Sequence, residues 1–221
     1  PDGGIMKRIP DLCDVWFDSG AMPFAQWHYP FEKNETFNIN FPADFIAEGV
    51  DQTRGWFYTL HALGTMLFDG PAFKNVVSNG LVLDAKGEKM SKTKGNTVNP
   101  FEVIETYGAD ATRWYMISNS NPWENLKFNI EGLKETQRKF FSTLLNTYSF
   151  FSLYANIDGF RYDTSSSIPV SQRTELDQWI LSRLNSLIKF VDESYNDYEP
   201  TKAAREMEEF MDELSNWYVR R

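Results

Sequence analysis

Cysteine and histidine, two of the residues that most often hold metal ions, are almost absent from this sequence. It has one cysteine, Cys13, and two histidines in 221 residues. A single cysteine excludes a disulfide within the chain and a zinc site made of four cysteines. We therefore expect no metal site in this stretch, and the reducing cytoplasm as its setting.

Long apolar runs are also missing, and positive charge is scarce. No stretch is apolar over the length of a membrane-spanning helix and no signal-peptide pattern is present, so we expect no contact with a membrane. The formal net charge is −9, whereas a protein that binds nucleic acid with its whole surface is more often basic. Any site for a polyanion must therefore be local. The chain begins PDGGIMKRIPD, without methionine, which suggests a fragment of a longer protein.

The sequence does contain the pattern of an α/β protein. Hydrophobic residues make up 42% of the chain, which is enough to bury a core. An apolar run at 43–49 predicts a buried strand, helical spacing at 51–70 predicts a helix with Asp51 as a possible N-cap, and 74–84 predicts a second strand with a turn. Strand, helix and strand in succession indicate a βαβ unit and a parallel sheet. Before residue 41, where Pro, Gly, Asp and Asn recur, we expect irregular loops packed on a core.

After residue 97 the pattern becomes helical. Two short helices are predicted at 99–120, one long helix at 131–160, and two amphipathic helices after the turn-rich linker 161–172. Several helices in succession predict a bundle. An apolar stripe within the long helix is expected to face the core; its members are Phe140, Phe141, Leu144, Leu145, Tyr148, Phe151 and Leu153.

The densest positive charge lies in the loop GEKMSKTKGN, residues 87–96. Lys89 and Lys92 are close enough in sequence to contact one ligand together, Ser91 between them adds a hydroxyl donor, and a glycine near each end permits backbone freedom. This composition suits a mobile loop that closes on phosphates and stabilises charge on a leaving group. A solvated charged turn is the alternative interpretation.

A second group of polar residues follows the first predicted strand. Glu48 and Gly49 lie at its carboxyl end, Asp51 and Gln52 on the first turn of the next helix, and Trp56 shares a helical face with Gln52. Ligands of open α/β sheets bind at the carboxyl ends of strands. The next strand leads directly into the basic loop, so we expect both groups over the same sheet edge. Each residue also has an alternative interpretation: Asp51 as a helix cap only, Glu48 as a solvated charge only, and Trp56 as a core residue only.

Four blocks of the sequence together resemble the class I aminoacyl-tRNA synthetases. They are DVWFDSG (14–20), AEGVDQTRGWF (47–57), NGLVLDAKGEKMSKT (79–93) and KGNTVNPFEVIETYGADATRWYM (94–116). KMSKT is similar to the KMSKS signature of that family, with Thr93 keeping the hydroxyl of the final serine. DVWFDSG and EGVDQTRGW favour the isoleucine-specific branch. The resemblance implies the second half of a Rossmann-like nucleotide-binding parallel sheet, followed by an α-helical bundle.

The resemblance also implies a reaction and its partners. The family joins an amino acid, here isoleucine, to ATP, which gives an aminoacyl-adenylate and pyrophosphate, and then transfers the aminoacyl group to tRNA, here tRNA(Ile). ATP is a substrate and is accompanied by Mg²⁺. The zinc site that many relatives carry would lie outside this chain. The parent protein is expected to be monomeric. The HIGH-type motif of the family is not in this sequence, so we expect these residues alone to be inactive.

By position, the resemblance assigns roles to particular residues. Lys92 would contact the ATP phosphates and stabilise the leaving pyrophosphate, with Lys89 and Ser91 in support. Three further groups would surround the adenylate: Glu48, Gly49, Asp51 and Gln52 at its ribose and aminoacyl portion, Trp16 and Trp56 around the isoleucine side chain, and Gly80 with the backbone near Leu81 and Val82 beside the adenine. Asn79 stands where many relatives carry histidine.

Three regions follow from the same resemblance. Residues 1–97 would form the C-terminal half of the catalytic domain with its KMSKS-type loop, 98–130 the connecting stem-contact helices, and 131–221 the start of an anticodon-binding domain. Two other interpretations stay open. One is a synthetase-like module that binds RNA or protein without catalysis, and the other is a related nucleotidyl transferase.

Overall fold

The computed structural model describes residues 4–5, 7–8, 10–11 and 14–221. Cys13 lies outside the described residues. The chain forms two compact units, of which the first ends at Asn79 and the second begins at Gly80. Each unit contains one small two-stranded parallel sheet, so the parallel pairing expected of an α/β chain is confirmed.

The first unit alternates helices and strands. Its elements are α1 (Val15–Ala25), α2 (Asn34–Asn40), β1 (Ile46–Gly49), a 3₁₀ turn (Val50–Arg54), α3 (Trp56–Phe68) and β2 (Val76–Asn79). The prediction of irregular structure before residue 41 is wrong, because two helices lie there. Asp14 caps α1 by accepting a hydrogen bond from the backbone N–H of Trp16 at 2.7 Å.

The helix predicted over 51–70 begins later than expected. Residues Val50–Arg54 form a separate 3₁₀ turn, and α3 starts only at Trp56. Asp51 is therefore not the N-cap of this helix. The N-cap residue is Gly55, and the side chain of Gln52 caps the first free N–H of the helix, since its Oε1 accepts a hydrogen bond from the backbone N–H of Trp56 at 2.9 Å.

The strand pair of the first unit confirms the predicted βαβ arrangement. β1 and β2 run parallel, with a register that extends from Ile46 opposite Val76 to Gly49 opposite Asn79. The carboxyl ends of the two strands therefore coincide. A buried cluster that includes Ile46, Phe57 and Leu60 joins α3 to this sheet.

The second unit is mostly helical. Its elements are β3 (Val82–Leu83), α4 (Pro100–Tyr107), α5 (Ala109–Asn119), β4 (Leu126–Lys127), α6 (Ile130–Thr136), α7 (Ser142–Ile157), α8 (Glu175–Asn196) and α9 (Pro200–Asp212). The two short helices and the two last helices agree with the sequence prediction. The single helix predicted at 131–160 is instead two α-helices joined by a π-helical segment, Gln137–Phe141.

Leu133 of α6 lies at the centre of the core in this unit. Its side chain is fully buried. The buried residues around it come from α4, α5 and the strand β4 with its following turn; they are Val103, Ala111, Tyr115, Leu126 and Phe128. Met90 of the basic loop packs against the same cluster, so the loop and the helices pack on one core.

The apolar stripe of the long helix does not face this core, so that prediction is wrong for most of its length. Phe140 is packed, since it stacks on Trp114 with ring centroids 4.3 Å apart. Further along α7 the stripe is open, with Leu145 63% and Tyr148 67% exposed. Helical periodicity identifies the apolar face, but no element among the described residues covers it.

We predict that Leu133→Ala lowers the free energy of unfolding by about 2–5 kcal/mol, because it leaves a cavity in the core. Leu145→Ala is the matched control, since it makes the same change on an exposed helix face and is expected to alter stability by less than about 0.5 kcal/mol. Urea unfolding of the 221-residue chain measures both. Equal losses from the two substitutions would contradict the assignment of core and surface.

Candidate functional site

The first group of candidate residues lies where β1 leads into α3. Glu48 is exposed on β1, and Gly49 ends the strand opposite Asn79. The carboxylate of Asp51 folds back over Gly49, since a Cβ added there would lie 2.7 Å from Asp51 Oδ1. The Asp51 carboxylate therefore lies over the carboxyl end of β1, on the face toward which a side chain at Gly49 would point, whereas Glu48, the preceding strand residue, points to the opposite face.

The two candidate tryptophans lie close to this junction. Trp56 begins α3, and its indole Nε1–H donates to the carbonyl of Ser19 in α1 at 3.0 Å. The ring of Trp16 approaches the turn before α3, because a Cβ added at Gly55 would lie 3.0 Å from Trp16 Cη2 and 2.8 Å from Gln52 Oε1. The structure thus brings Trp16, Gln52 and Trp56 together around one glycine.

In the second unit, the segment from Gly80 to Val82 is held along β4 and the turn before it. Gly80 N–H donates to the carbonyl of Pro122 at 2.8 Å, and Leu81 N–H donates to Asn125 Oδ1 at 2.8 Å. The Leu81 carbonyl accepts from Leu126 N–H at 2.9 Å. Both backbone groups of Leu81 are therefore engaged, and its half-exposed side chain is the part left for a ligand.

The basic loop turns sharply at both ends. Gly87 and Gly95 have φ values of +85° and +65°, a region that glycine adopts without the steric cost of a Cβ. At the first turn, Asp84 Oδ1 accepts hydrogen bonds from the backbone N–H groups of Lys86 at 3.0 Å and Glu88 at 2.8 Å. These contacts fix the entry to the loop.

The side chain of Asn96 closes the loop from its other end. Its Nδ2 donates to Asp84 Oδ2 at 2.8 Å and to the carbonyl of Lys89 at 3.3 Å, and its Oδ1 accepts from Ser91 N–H at 2.9 Å. The hydrogen bond from Asn96 is the main cause that lowers the pKa of Asp84 below its ordinary value. Asp84 is therefore a carboxylate at neutral pH.

The charges of the loop are only partly neutralised. Lys94 Nζ lies 3.0 Å from Glu88 Oε2, and Ser91 Oγ accepts from Lys94 N–H at 3.2 Å, which leaves the Ser91 hydroxyl proton free to donate. Lys89 and Lys92 are exposed, and in the described part of the chain no carboxylate lies within ion-pair distance of either. These two lysines are available to an anionic ligand.

A family model for class I tRNA synthetases, the group specific for isoleucine, leucine, methionine and valine, matches residues 2–129. That range is more than half of the chain. The chain belongs to the class I tRNA synthetases. A second model, the anticodon-binding domain of tRNA ligases, matches residues 177–221.

Individual relatives of this synthetase chain agree with the family models. It is 67% identical to the isoleucine–tRNA ligase of Cytophaga hutchinsonii over 99% of its own length and 20% of that protein. It is 53% identical to the isoleucine–tRNA ligase of Thermus thermophilus, again over 99% of the chain and 21% of the relative. The chain thus spans about a fifth of these relatives.

Solved synthetases share the fold at lower identity. A leucyl-tRNA synthetase of Agrobacterium radiobacter, in a ternary complex with tRNA and LeuAMS, superimposes with a TM-score of 0.78 at 22% identity over 97% of this chain and 28% of its own. The methionyl-tRNA synthetase of Mycobacterium tuberculosis, bound to methionyl-adenylate, gives 0.76 at 18% identity over 93% of this chain and 40% of its own. These similarities show an α/β synthetase fold followed by a helical region.

Sequence reasoning missed Asp84 and Asn96, which organise the KMSKT loop of this synthetase. Asp84 lies three residues before Gly87, and aspartate before a turn glycine is a signal that could have identified it. Asn96 has no such local signal, because its partners are brought to it only when the loop closes.

Two further properties of this synthetase chain concern metals and membranes. Over the residues that the structure describes, no helix is long and apolar enough to cross a membrane. Within the same residues, no three histidine, cysteine, aspartate or glutamate side chains gather closely enough to hold a metal ion.

We predict that Gln52→Ala makes exchange of the Trp56 backbone amide about fivefold faster, because the lost cap is worth about 1 kcal/mol. Hydrogen–deuterium exchange resolved at Trp56 measures the effect. Gln52→Glu is the matched control, since it retains an acceptor oxygen, and it should exchange at nearly the original rate. Equal exchange in all three proteins would show that Gln52 does not cap α3.

Proposed function

We propose that this chain is part of an isoleucine–tRNA ligase, which activates isoleucine with ATP and transfers it to tRNA(Ile). The observation that carries the proposal is the 67% identity to a curated isoleucine–tRNA ligase over 99% of the chain. Lys89 and Lys92 on the KMSKT loop, which have no carboxylate partner among the described residues, add physical support, because activation requires positive charge at the phosphates of ATP.

The loop supplies the groups that act on the triphosphate. In the activation step the carboxylate of isoleucine attacks the α-phosphorus, and the bond from that phosphorus to pyrophosphate breaks. Lys92 stabilises the charge that grows on the leaving pyrophosphate, with Lys89 beside it. The Ser91 hydroxyl donates to a phosphate oxygen, and its orientation is set by Lys94 N–H.

The remaining candidate residues bind the rest of the adenylate. Support comes from Glu48 and Gly49, which end β1, and from the turn after them that holds Asp51 and Gln52, because α/β folds bind ligands at the carboxyl ends of strands. Trp16 and Trp56 form the isoleucine pocket, and the side chain of Leu81 contacts the adenine. The ribose and aminoacyl portions meet Glu48, Gly49, Asp51 and Gln52, whereas Gly80 and Val82 border the base.

The chain contributes three regions to the ligase. Residues 1–97 belong to the catalytic domain, 98–130 to the stem-contact region, and 131–221 to the anticodon-binding domain, which the family match at 177–221 supports. Mg²⁺ accompanies ATP, and tRNA(Ile) binds along the helical part. We infer that the parent is a cytoplasmic monomer and that these residues alone are inactive, because the HIGH-type motif is not among them.

Amino-acid-dependent exchange of pyrophosphate into ATP tests the proposal. The 221 residues replace the matching segment of the Cytophaga hutchinsonii ligase, and the chimera is assayed with isoleucine, valine, leucine and methionine. We expect exchange that depends on isoleucine from the chimera and none from the chain alone. A folded chimera without exchange would favour a module that binds RNA or protein without catalysis.

We predict that Lys92→Ala in this chimera lowers the exchange rate by about 10²–10³-fold, the usual loss when one donor to a developing charge is removed. Binding of tRNA(Ile), measured by filter retention, should change little. Lys86→Ala, which removes a lysine just outside the motif, is the control and should retain activity. Near-normal exchange by Lys92→Ala would remove this lysine from the mechanism.

We predict that Trp56→Ala raises the KM for isoleucine about tenfold or more, because an apolar wall of the pocket is worth at least about 1.4 kcal/mol. The KM for ATP in the same exchange assay is the internal control and should change little. An unaltered KM for isoleucine would show that Trp56 does not line the pocket.

A further inference from the structure

We propose that Asp84 and Asn96 are positioning residues whose side-chain pair holds Lys89 and Lys92 in the geometry that receives the triphosphate. The inference rests on the proposed function, because it assigns a task to two residues outside the KMSKT sequence. Neither residue touches the substrate in this scheme. Both act on the backbone from which the two lysines extend.

The carboxamide of Asn96 bonds to the backbone on both sides of Met90. It donates to the Lys89 carbonyl and accepts from Ser91 N–H. Because the carboxamide is one planar group, it fixes the peptide groups of these two residues relative to each other. These fixed peptide groups set the direction in which the Lys89 side chain leaves the backbone. They also set the start of the turn that carries Lys92.

Asp84 connects that arrangement to the sheet. It directly follows β3, which is paired with β4, and its backbone N–H donates to the Glu88 carbonyl at 2.9 Å. One carboxylate oxygen holds the turn at Lys86 and Glu88, while the other accepts from Asn96. The Met90 side chain packs on the core, so the loop backbone is held from two sides.

The pair also holds together a loop that carries several like charges. Lys89, Lys92 and Lys94 lie within six residues, and only Lys94 has a carboxylate partner, Glu88, among the described residues. The two other lysines carry like charges, so nothing in their own side chains draws the loop together. A hydrogen bond to a carboxylate is stronger than one between neutral groups, so the Asp84–Asn96 bond holds the loop closed before ATP binds.

The donor pattern of the pair allows a polarity-reversal experiment. Asn96→Asp sets a second carboxylate against Asp84 and removes both donors of residue 96. Adding Asp84→Asn restores an amide–carboxylate pair with the donor on the opposite side. In the double variant, residue 84 can still accept from Lys86 and Glu88, and residue 96 can still accept from Ser91. Only the 3.3 Å contact to the Lys89 carbonyl is lost.

In the chimera, we expect Asn96→Asp to lower the exchange rate by about 10–100-fold, since small misplacements of reacting groups have costs of this size. The KM for ATP should rise, whereas the KM for isoleucine should stay unchanged. The double variant should recover most of the lost rate. Glu88→Gln is the matched control: it removes the Lys94 ion pair but leaves the Asp84–Asn96 pair, and it should retain most of the activity.

Amide hydrogen exchange of the 221-residue chain gives a second readout that needs no activity. Hydrogen exchange at the Ser91 amide should become faster in Asn96→Asp and slower again in the double variant. If Asn96→Asp does not fold, Asp84→Asn alone serves as the single variant, because it sets the amide of residue 84 against that of Asn96. The proposal would be overturned if the double variant failed to recover the pyrophosphate exchange rate, or failed to recover the protection of the Ser91 amide.

Lys92→Ala separates this inference from the proposed function. Full activity of Asn96→Asp together with an inactive Lys92→Ala would overturn the positioning role and leave the ligase proposal standing. Full activity of both would reject the loop as the triphosphate site, and with it the positioning role. Equal rises in the KM values for ATP and isoleucine would indicate a general structural defect, which also contradicts the inference.

Discussion

The burial of Leu133 is the constraint on which the first part of the second unit, from the basic loop to α6, depends. The residues packed around it come from α4, α5 and β4, and Met90 of the basic loop packs against the same cluster. A loop whose lysines lie in solvent is thus attached to a core by the one apolar residue between them. Packing of Met90 and the hydrogen bonds of Asp84 and Asn96 both hold the loop backbone, and neither involves the ammonium groups of Lys89 and Lys92.

The charges of the chain act mainly on groups close to them. The overall charge is −9, yet charges in water are screened within about 8–10 Å at physiological salt. A bound phosphate would therefore respond mainly to the few groups nearest to it. Glu88 forms an ion pair with Lys94, whereas in the described part of the chain no carboxylate pairs with Lys89 or Lys92, so these two lysines of the motif are the ones open to a bound phosphate.

Much of the fold could be predicted from the sequence, and the errors have physical causes. The strands β1 and β2 and the helices α4 and α5 depend on local periodicity, which the sequence carries. α1 was missed because Gly20 and Pro23 are poor helix formers, yet Gly20 allows close packing on Thr59 of α3. The stripe on α7 was misassigned because periodicity identifies an apolar face and does not reveal whether another element covers it.

The sequence by itself determined the family and the order of its motifs, since both are properties of neighbouring residues. It also placed the candidate residues at strand ends and in one basic loop. Only the tertiary structure decided which of these groups meet: that Gln52 caps α3, that Lys94 is paired, and that Asp84 bonds Asn96 twelve residues away. These contacts depend on how the backbone turns between the two partners, and the apolar periodicity of the sequence does not specify those turns.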